Sequence, residues 1–240
     1  MKKLTTASIY IFLILALDSC NIDTIKVSDI VTTEQVSFKN YSALSISDDF
    51  NAYVTFSDTE EKIEIEANRN LHERIVVRKE GTKLHIKMEN NLIIKGNETL
   101  NIYIITKQIN NFECHGDSRL ILESSLDTQS AKVALYGDSY FSGELYLDDL
   151  KLILRGDSKA DIYGKVNLLG AELSGGSTLK DYDLEIDNLI IDLRGDSNAY
   201  LSVKSTIDVD ANGDSVLRYK GNAAITHQRL NGDSKVLKKD

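Results

Sequence analysis

The 240-residue chain is 42% hydrophobic and carries a net charge of −9, from 28 Lys and Arg against 37 Asp and Glu, with no proline, no tryptophan and two cysteines. This is enough apolar material for one sizeable domain, and no stretch reads as a linker between two. The acidic balance weighs against nucleic acid or bare anionic lipid as a partner.

Residues 1–19 read as a lipoprotein signal peptide. Lys2 and Lys3 precede an apolar stretch from about Ala7 to Leu17, too short for a permanent membrane helix and right for a secretory signal. It ends in Leu17-Asp18-Ser19-Cys20, which resembles the bacterial lipobox apart from Asp18. That resemblance makes Cys20 the lipidated mature N-terminus and the membrane anchor. Asn21 is not the aspartate that retains lipoproteins at the inner membrane, so the outer membrane is the expected address. Residues 20–31 then form a lipidated tether.

From 32 to 111 the chain reads as irregular opening coils or a cap. Alternation of apolar and polar residues marks strands in Lys62–Glu66, Ile75–Val77, Lys83–Met88 and Leu100–Ile104, with a tight turn at Glu80-Gly81-Thr82-Lys83.

From 112 to 240 one turn recurs seven times. Its copies begin at Gly116, Gly137, Gly156, Gly175, Gly195, Gly213 and Gly232, with spacings of 21, 19, 19, 20, 18 and 19 residues. Six read Gly-Asp-Ser and one reads Gly175-Gly176-Ser177. A fixed period near 20 is the signature of a solenoid whose coils bury their apolar sides only by stacking. The expected fold is therefore all-β, a single-stranded parallel β-helix of about 19 residues per coil. The uneven spacing and the lack of a six-residue subperiod favour a right-handed helix; an antiparallel β-sandwich is the alternative.

Side-chain direction follows from strand parity. Two residues before each glycine stand Cys114, Leu135, Leu154, Leu173, Leu193, Ala211 and Leu230, which makes even offsets inward. Ser118, Ser139, Ser158, Ser177, Ser197, Ser215 and Ser234 then point into the corner, where hydroxyls can satisfy bent backbone or form a ladder. Asp117, Asp138, Asp157, Asp196, Asp214 and Asp233 point outward as an acidic column broken at Gly176. Cys114 is read as a buried apolar side chain with the adjacent His115 facing the opposite way, and the other histidines, His72, His85 and His227, show no ligand spacing.

The order of features resembles the family called putative auto-transporter adhesin, head GIN domain, found in secreted and lipid-anchored proteins of Bacteroidetes. The resemblance is carried by Phe38 through Ile46, by Ala67-Asn68-Arg69-Asn70-Leu71 followed by Gly81 through Ile86, by the GDS coils, and by Tyr219-Lys220-Gly221-Asn222. It implies a β-solenoid and adhesion, with no ligand or catalytic residue attached.

Three functional readings compete. Gly-Asp-Ser also opens the nucleophile block of one esterase class, but six copies with inward serines and no Asp-x-x-His pair do not make an active site. A carbohydrate-active β-helix enzyme, a polysaccharide lyase or hydrolase, could use the outward aspartates with Arg119, Arg155, Lys159, Arg194 and Lys235; yet these recur with the architecture, whereas catalytic groups are local. Calcium on the aspartate column is a second use of the same carboxylates. Tyr136, Tyr140 and Tyr200 are the candidate binding aromatics for a glycan or protein ligand. The expectation is a non-enzymatic, lipid-anchored envelope protein with an adhesin-like or scaffolding surface, no cofactor and no nucleic acid.

Overall fold

A computed structural model describes residues 22–239; the signal peptide at 1–19 and Cys20 lie outside the described residues. The strands Leu126–Gly137, Tyr140–Gly156, Lys159–Gly175, Thr178–Gly195 and Asn198–Gly213 each pair in parallel with the next. Register holds turn on turn: Gly116 pairs with Gly137, Gly137 with Gly156, Gly156 with Gly175, Gly175 with Gly195, Gly195 with Gly213 and Gly213 with Gly232. The molecule is a parallel β-solenoid. A sandwich would have required these neighbours to run antiparallel, so that alternative is overturned.

Each coil has two corners, and both are written in the burial pattern. At the first, the glycine adopts a positive φ, +88° at Gly156 for example, which residues with a Cβ resist. Stacking adds a second demand there, since a Cβ on Gly156 would lie 2.8 Å from the carbonyl oxygen of Gly137. At the second corner two consecutive residues face out, Asp148 and Asp149 in one coil. This resets the parity, so that Leu145 and Leu147 before it, and Leu150, Leu152 and Leu154 after it, all reach one core. Phe112 and Phe141 sit fully buried in successive coils with ring centroids 5.5 Å apart.

The amino-terminal region contains more solenoid than its sequence announces. Ala43–Ile46 and Asn51–Phe56 lie parallel under Asn111–Gly116 and Arg119–Leu122. On their other side they lie parallel on Lys83–Met88 and Leu100–Thr106. The stack order therefore departs from chain order, with the coil from residues 43–56 held between one later in the sequence and the first regular coil. Antiparallel strands complete this end: Lys62–Asn68 pairs with both Val31–Val36 and Leu100–Thr106, and Ile75–Glu80 pairs with Lys83–Met88.

Between residues 43–46 and 51–56 the corner is made without glycine. Asp48 takes φ +68° directly beneath Gly116, whose added Cβ would lie 3.4 Å from the Asp48 carbonyl oxygen. Aspartate tolerates this conformation better than most side chains. Phe50, fully buried, occupies the position that serine holds in the later turns.

One boundary needs correction. Within the segment expected as a tether, Asp23–Lys26 pairs in parallel with Leu92–Lys95, and Ile25 and Val27 pack against the core. A four-residue strand with one apolar side chain, Ile25, is too short to stand out by periodicity, yet Leu92–Lys95 supplies backbone partners along one of its edges.

Candidate functional site

The turn serines are interior. Ser118, Ser139, Ser158, Ser177, Ser197 and Ser215 are fully buried and Ser234 nearly so. Their hydroxyls donate to backbone carbonyls, typically of the residue three before and of the coil beneath: Ser139 Oγ lies 2.9 Å from the Tyr136 carbonyl and 3.3 Å from that of Cys114, and Ser234 Oγ lies 2.7 Å from Asn231 and 3.0 Å from Gly213. Among the described residues, the one hydrogen bond from serine to serine joins Ser215 and Ser234, 3.4 Å apart. The corner is thus a ladder of serine to backbone, satisfying carbonyls that the bend withdraws from the sheet. A buried hydroxyl committed in this way offers no nucleophile to solvent.

The aspartates are exposed at all six positions. Asp49, adjoining Asp117, extends their column toward the amino terminus; partial desolvation together with Asp117, Glu98 and Asp48 pushes its carboxyl above the usual range. At the break, a Cβ on Gly176 would lie 2.5 Å from Oδ1 of Asp157, so the missing side chain makes room for the carboxylate of the coil before. Among the described residues, no group of three or more His, Cys, Asp or Glu side chains converges to hold a metal ion. Stacking sets the column's carboxylates side by side without closing them around a point.

The expected binding aromatics are half-buried, and their faces are taken. Tyr136 stacks on His115 at 4.9 Å and 12° and receives Arg155 on the ring at 6.0 Å. Tyr140 lies under Arg119 at 5.6 Å. Tyr200 lies under Arg218 at 5.2 Å and meets Tyr182 edge-on at 6.2 Å. These rings stabilise successive coils through stacking and cation–π contacts, which removes them as an open platform.

Cys114 and His115 are adjacent but point to opposite sides of the strand. His115 Nε2 lies 2.7 Å from Glu113 Oε1, and Lys83 Nζ lies 2.7 Å from Glu113 Oε2. Although burial opposes it, these two partners hold the Glu113 carboxyl below the usual range. The Cys114 thiol is fully buried, and desolvation pushes its pKa from 9.0 up to about 12, against a smaller opposing pull from Ser118. Folding therefore keeps the thiol protonated. An aromatic disulfide reagent is expected to leave Cys114 unmodified at pH 8 until denaturant is added. Because the unfolded chain releases this proton from pH 9 upward while the folded chain retains it, stability is expected to fall as pH rises from 9 toward 12, and Cys114→Ala should lose that component of the alkaline slope.

Two of the grooves on the outer surface run across successive coils. One, of about 650 Å³, lies over Gly170 with Ile190 as its apolar floor and charged walls. Its charges are mostly committed to one another: Glu172 to Lys151 at 3.5 Å and to Arg155 at 3.9 Å, Asp192 to Arg194 at 2.5 Å, and Asp210 to Arg229 at 2.5 Å. The other, of about 450 Å³, follows the second corner, where Gln129, Asp148 and Asn167 flank Tyr146. Sequence reading missed both. Gly170 and Ile190 stand at water-facing strand positions, a signal that was there to be used; the second groove depends on how neighbouring coils bend and had none.

The family described as putative auto-transporter adhesin, head GIN domain, matches residues 40–223. The chain belongs to this family. Three solved structures share the fold of this head GIN domain. A putative adhesin from Bacteroides fragilis superposes with a TM-score of 0.82 at 16% identity, covering 90% of this chain and all of its own. A putative adhesin from Parabacteroides merdae gives 0.70 at 17% identity, over 91% of this chain and all of its own. A protein named a putative lipid binding protein, from Parabacteroides distasonis, gives 0.75 at 14% identity, again over 91% and 100%. No curated protein matches the chain. The matched span of the head GIN domain starts at Asn40, just before the coil that turns at Asp48, so the family unit takes in the hidden coils as well as the GDS coils.

Proposed function

We propose that this head GIN domain is a non-enzymatic, adhesin-like binding module, carried on the outer membrane by a lipid on Cys20. The observation that carries the reading is the in-register parallel stack. It sets outward side chains in columns with a step of about 4.8 Å from coil to coil and commits the buried serines and Cys114 to the interior. A rigid repeating face of this kind suits recognition of an extended or repeating partner, glycan or protein. Membership of an adhesin-named family supports the same conclusion, and the lipobox-like Leu17-Asp18-Ser19-Cys20 supports the anchor.

Cells expressing the full chain and fed radiolabelled palmitate are expected to label it, and Cys20→Ala is expected to abolish the label and release the protein from the membrane fraction. Protease applied to intact cells, with a periplasmic protein as the control, should then remove the domain. Full protection from protease would confine it to the periplasm and turn the reading toward an envelope scaffold.

A further inference from the structure

We infer that the groove at the second corner is a binding site for a neutral oligosaccharide, with Tyr146 as its stacking platform. This rests on the reading of the domain as a binding module and assigns that module a site and a ligand class.

Tyr146 differs from the tyrosines discussed above. It is 43% exposed, and among the described residues no ring stacking or cation–π contact takes its face. Its in-register neighbours are Asp127 in the coil before and Lys165 in the coil after. Its hydroxyl donates to Glu144 Oε1 at 2.8 Å, which fixes the ring orientation from the side away from the groove. An exposed aromatic face held in place is costly to leave in water and is the surface on which the C–H face of a pyranose packs.

The groove also supplies what sugar hydroxyls need. Asn167 Nδ2 donates to Asp148 Oδ1 at 2.7 Å, leaving the other amide hydrogen and the second carboxylate oxygen to the ligand. Asp127, Thr128 and Gln129 line one wall and Lys165 another, giving donors and acceptors on both sides of the ring. Planar amide and carboxylate groups can take two neighbouring hydroxyls at once.

Charge selects within the class. Asp127 and Asp148, with Glu144 behind the ring, outnumber Lys165. Uronates and sulfated glycans therefore meet repulsion, while uncharged hydroxyls donate to the carboxylates. A volume of about 450 Å³ accommodates a short oligosaccharide segment and fits a binding site of small-ligand size. The larger groove over Gly170 lacks an aromatic face, and three of its five carboxylates, Glu172, Asp192 and Asp210, already hold Lys151, Arg155, Arg194 and Arg229.

The purified full chain is to be applied to a printed array of neutral, uronate-bearing and sulfated oligosaccharides, alongside Tyr146→Ala, Tyr146→Phe and Asn167→Ala. The expected result is retention of neutral glycans, a loss of about tenfold or more in Tyr146→Ala, smaller losses in Asn167→Ala and in Tyr146→Phe, which keeps the ring but not its tie to Glu144, and an unchanged Tm in all three. Retention of acidic glycans alone, no retention of any glycan, or equal binding by wild type and Tyr146→Ala would each overturn the assignment. A cell-adhesion assay separates the two levels of the reading. Cells on which Tyr146→Ala adheres as well as wild type sink the groove alone, whereas wild-type protein that confers no adhesion sinks the binding module itself.

Discussion

Gly164→Ala is expected to destabilise the domain by about 4 kcal/mol or more, enough to leave it largely unfolded at 37 °C. Gly164 adopts φ +109°, and a Cβ there would lie 2.3 Å from the carbonyl oxygen of Leu145 and 3.1 Å from the same residue's carbon and nitrogen. The obstacle is backbone, so no side-chain rotation relieves it. To make room, the coil containing Gly164 must lift off the coil containing Leu145, and the spacing between coils is set by hydrogen bonds along the whole ladder. In a solenoid each coil holds only its neighbours, so opening this interface separates the stack into two shorter ones. Gly170→Ala is the control, because its added Cβ meets nothing closer than 4.0 Å, and its backbone needs no left-handed conformation. That variant should stay within about 0.5 kcal/mol of wild type. Urea unfolding of both variants checks the contrast, and a Gly164→Ala protein as stable as Gly170→Ala would contradict it.

Asp48→Ala is expected to cost about 2 kcal/mol, lowering the Tm by about 4–8 °C for a domain of this size. Two losses combine. Asp48 Oδ2 accepts the Met88 N–H at 2.7 Å, which ties the coil of residues 43–56 to the coil beneath it; because the aspartate reaches solvent, about 1 kcal/mol is assigned to that bond. Alanine must also adopt φ +68° without the local polar contacts that ease aspartate into it, at about 1 kcal/mol more. Asp48→Gly loses the first contribution and avoids the second, so it should fall midway. An Asp48→Gly variant no better than Asp48→Ala would show that the hydrogen bond alone secures this corner.

Those two sites mark where the sequence was legible and where it was not. The seven turns, six GDS and one GGS, could be read because each requires the same backbone angle, and glycine and serine answer that requirement repeatedly enough to form a period. The corner at Asp48 meets the same need with another residue, so the period fails while the structure continues. Gly164 gives no hint of its importance in one dimension: it lies inside Lys159–Gly175, away from the repeat, and only the approach of Leu145 from the preceding coil makes its missing Cβ necessary.

The candidate site divides in the same way. Strand parity correctly sent the serines inward and the aspartates outward, because side-chain direction in a strand is a local property. It also sent Tyr136, Tyr140 and Tyr200 outward, but parity is silent about what the neighbouring coil places on the ring. Arg155, Arg119 and Arg218 cover them, each one coil further or one coil back along the stack. Tyr146, one more outward tyrosine in sequence, has its face free.

By itself the sequence determined the repeat, the all-β class, the inward and outward rows and the resemblance to a family, all of which follow from a spacing near 19 residues and a strand period of two. The tertiary structure decided the order of the coils at the amino-terminal end, the strand at Asp23–Lys26, which glycines are indispensable and which outward rings the neighbouring coils cover. The reason is that each of these depends on residues from different coils meeting across the stack, at separations in sequence that no local pattern records.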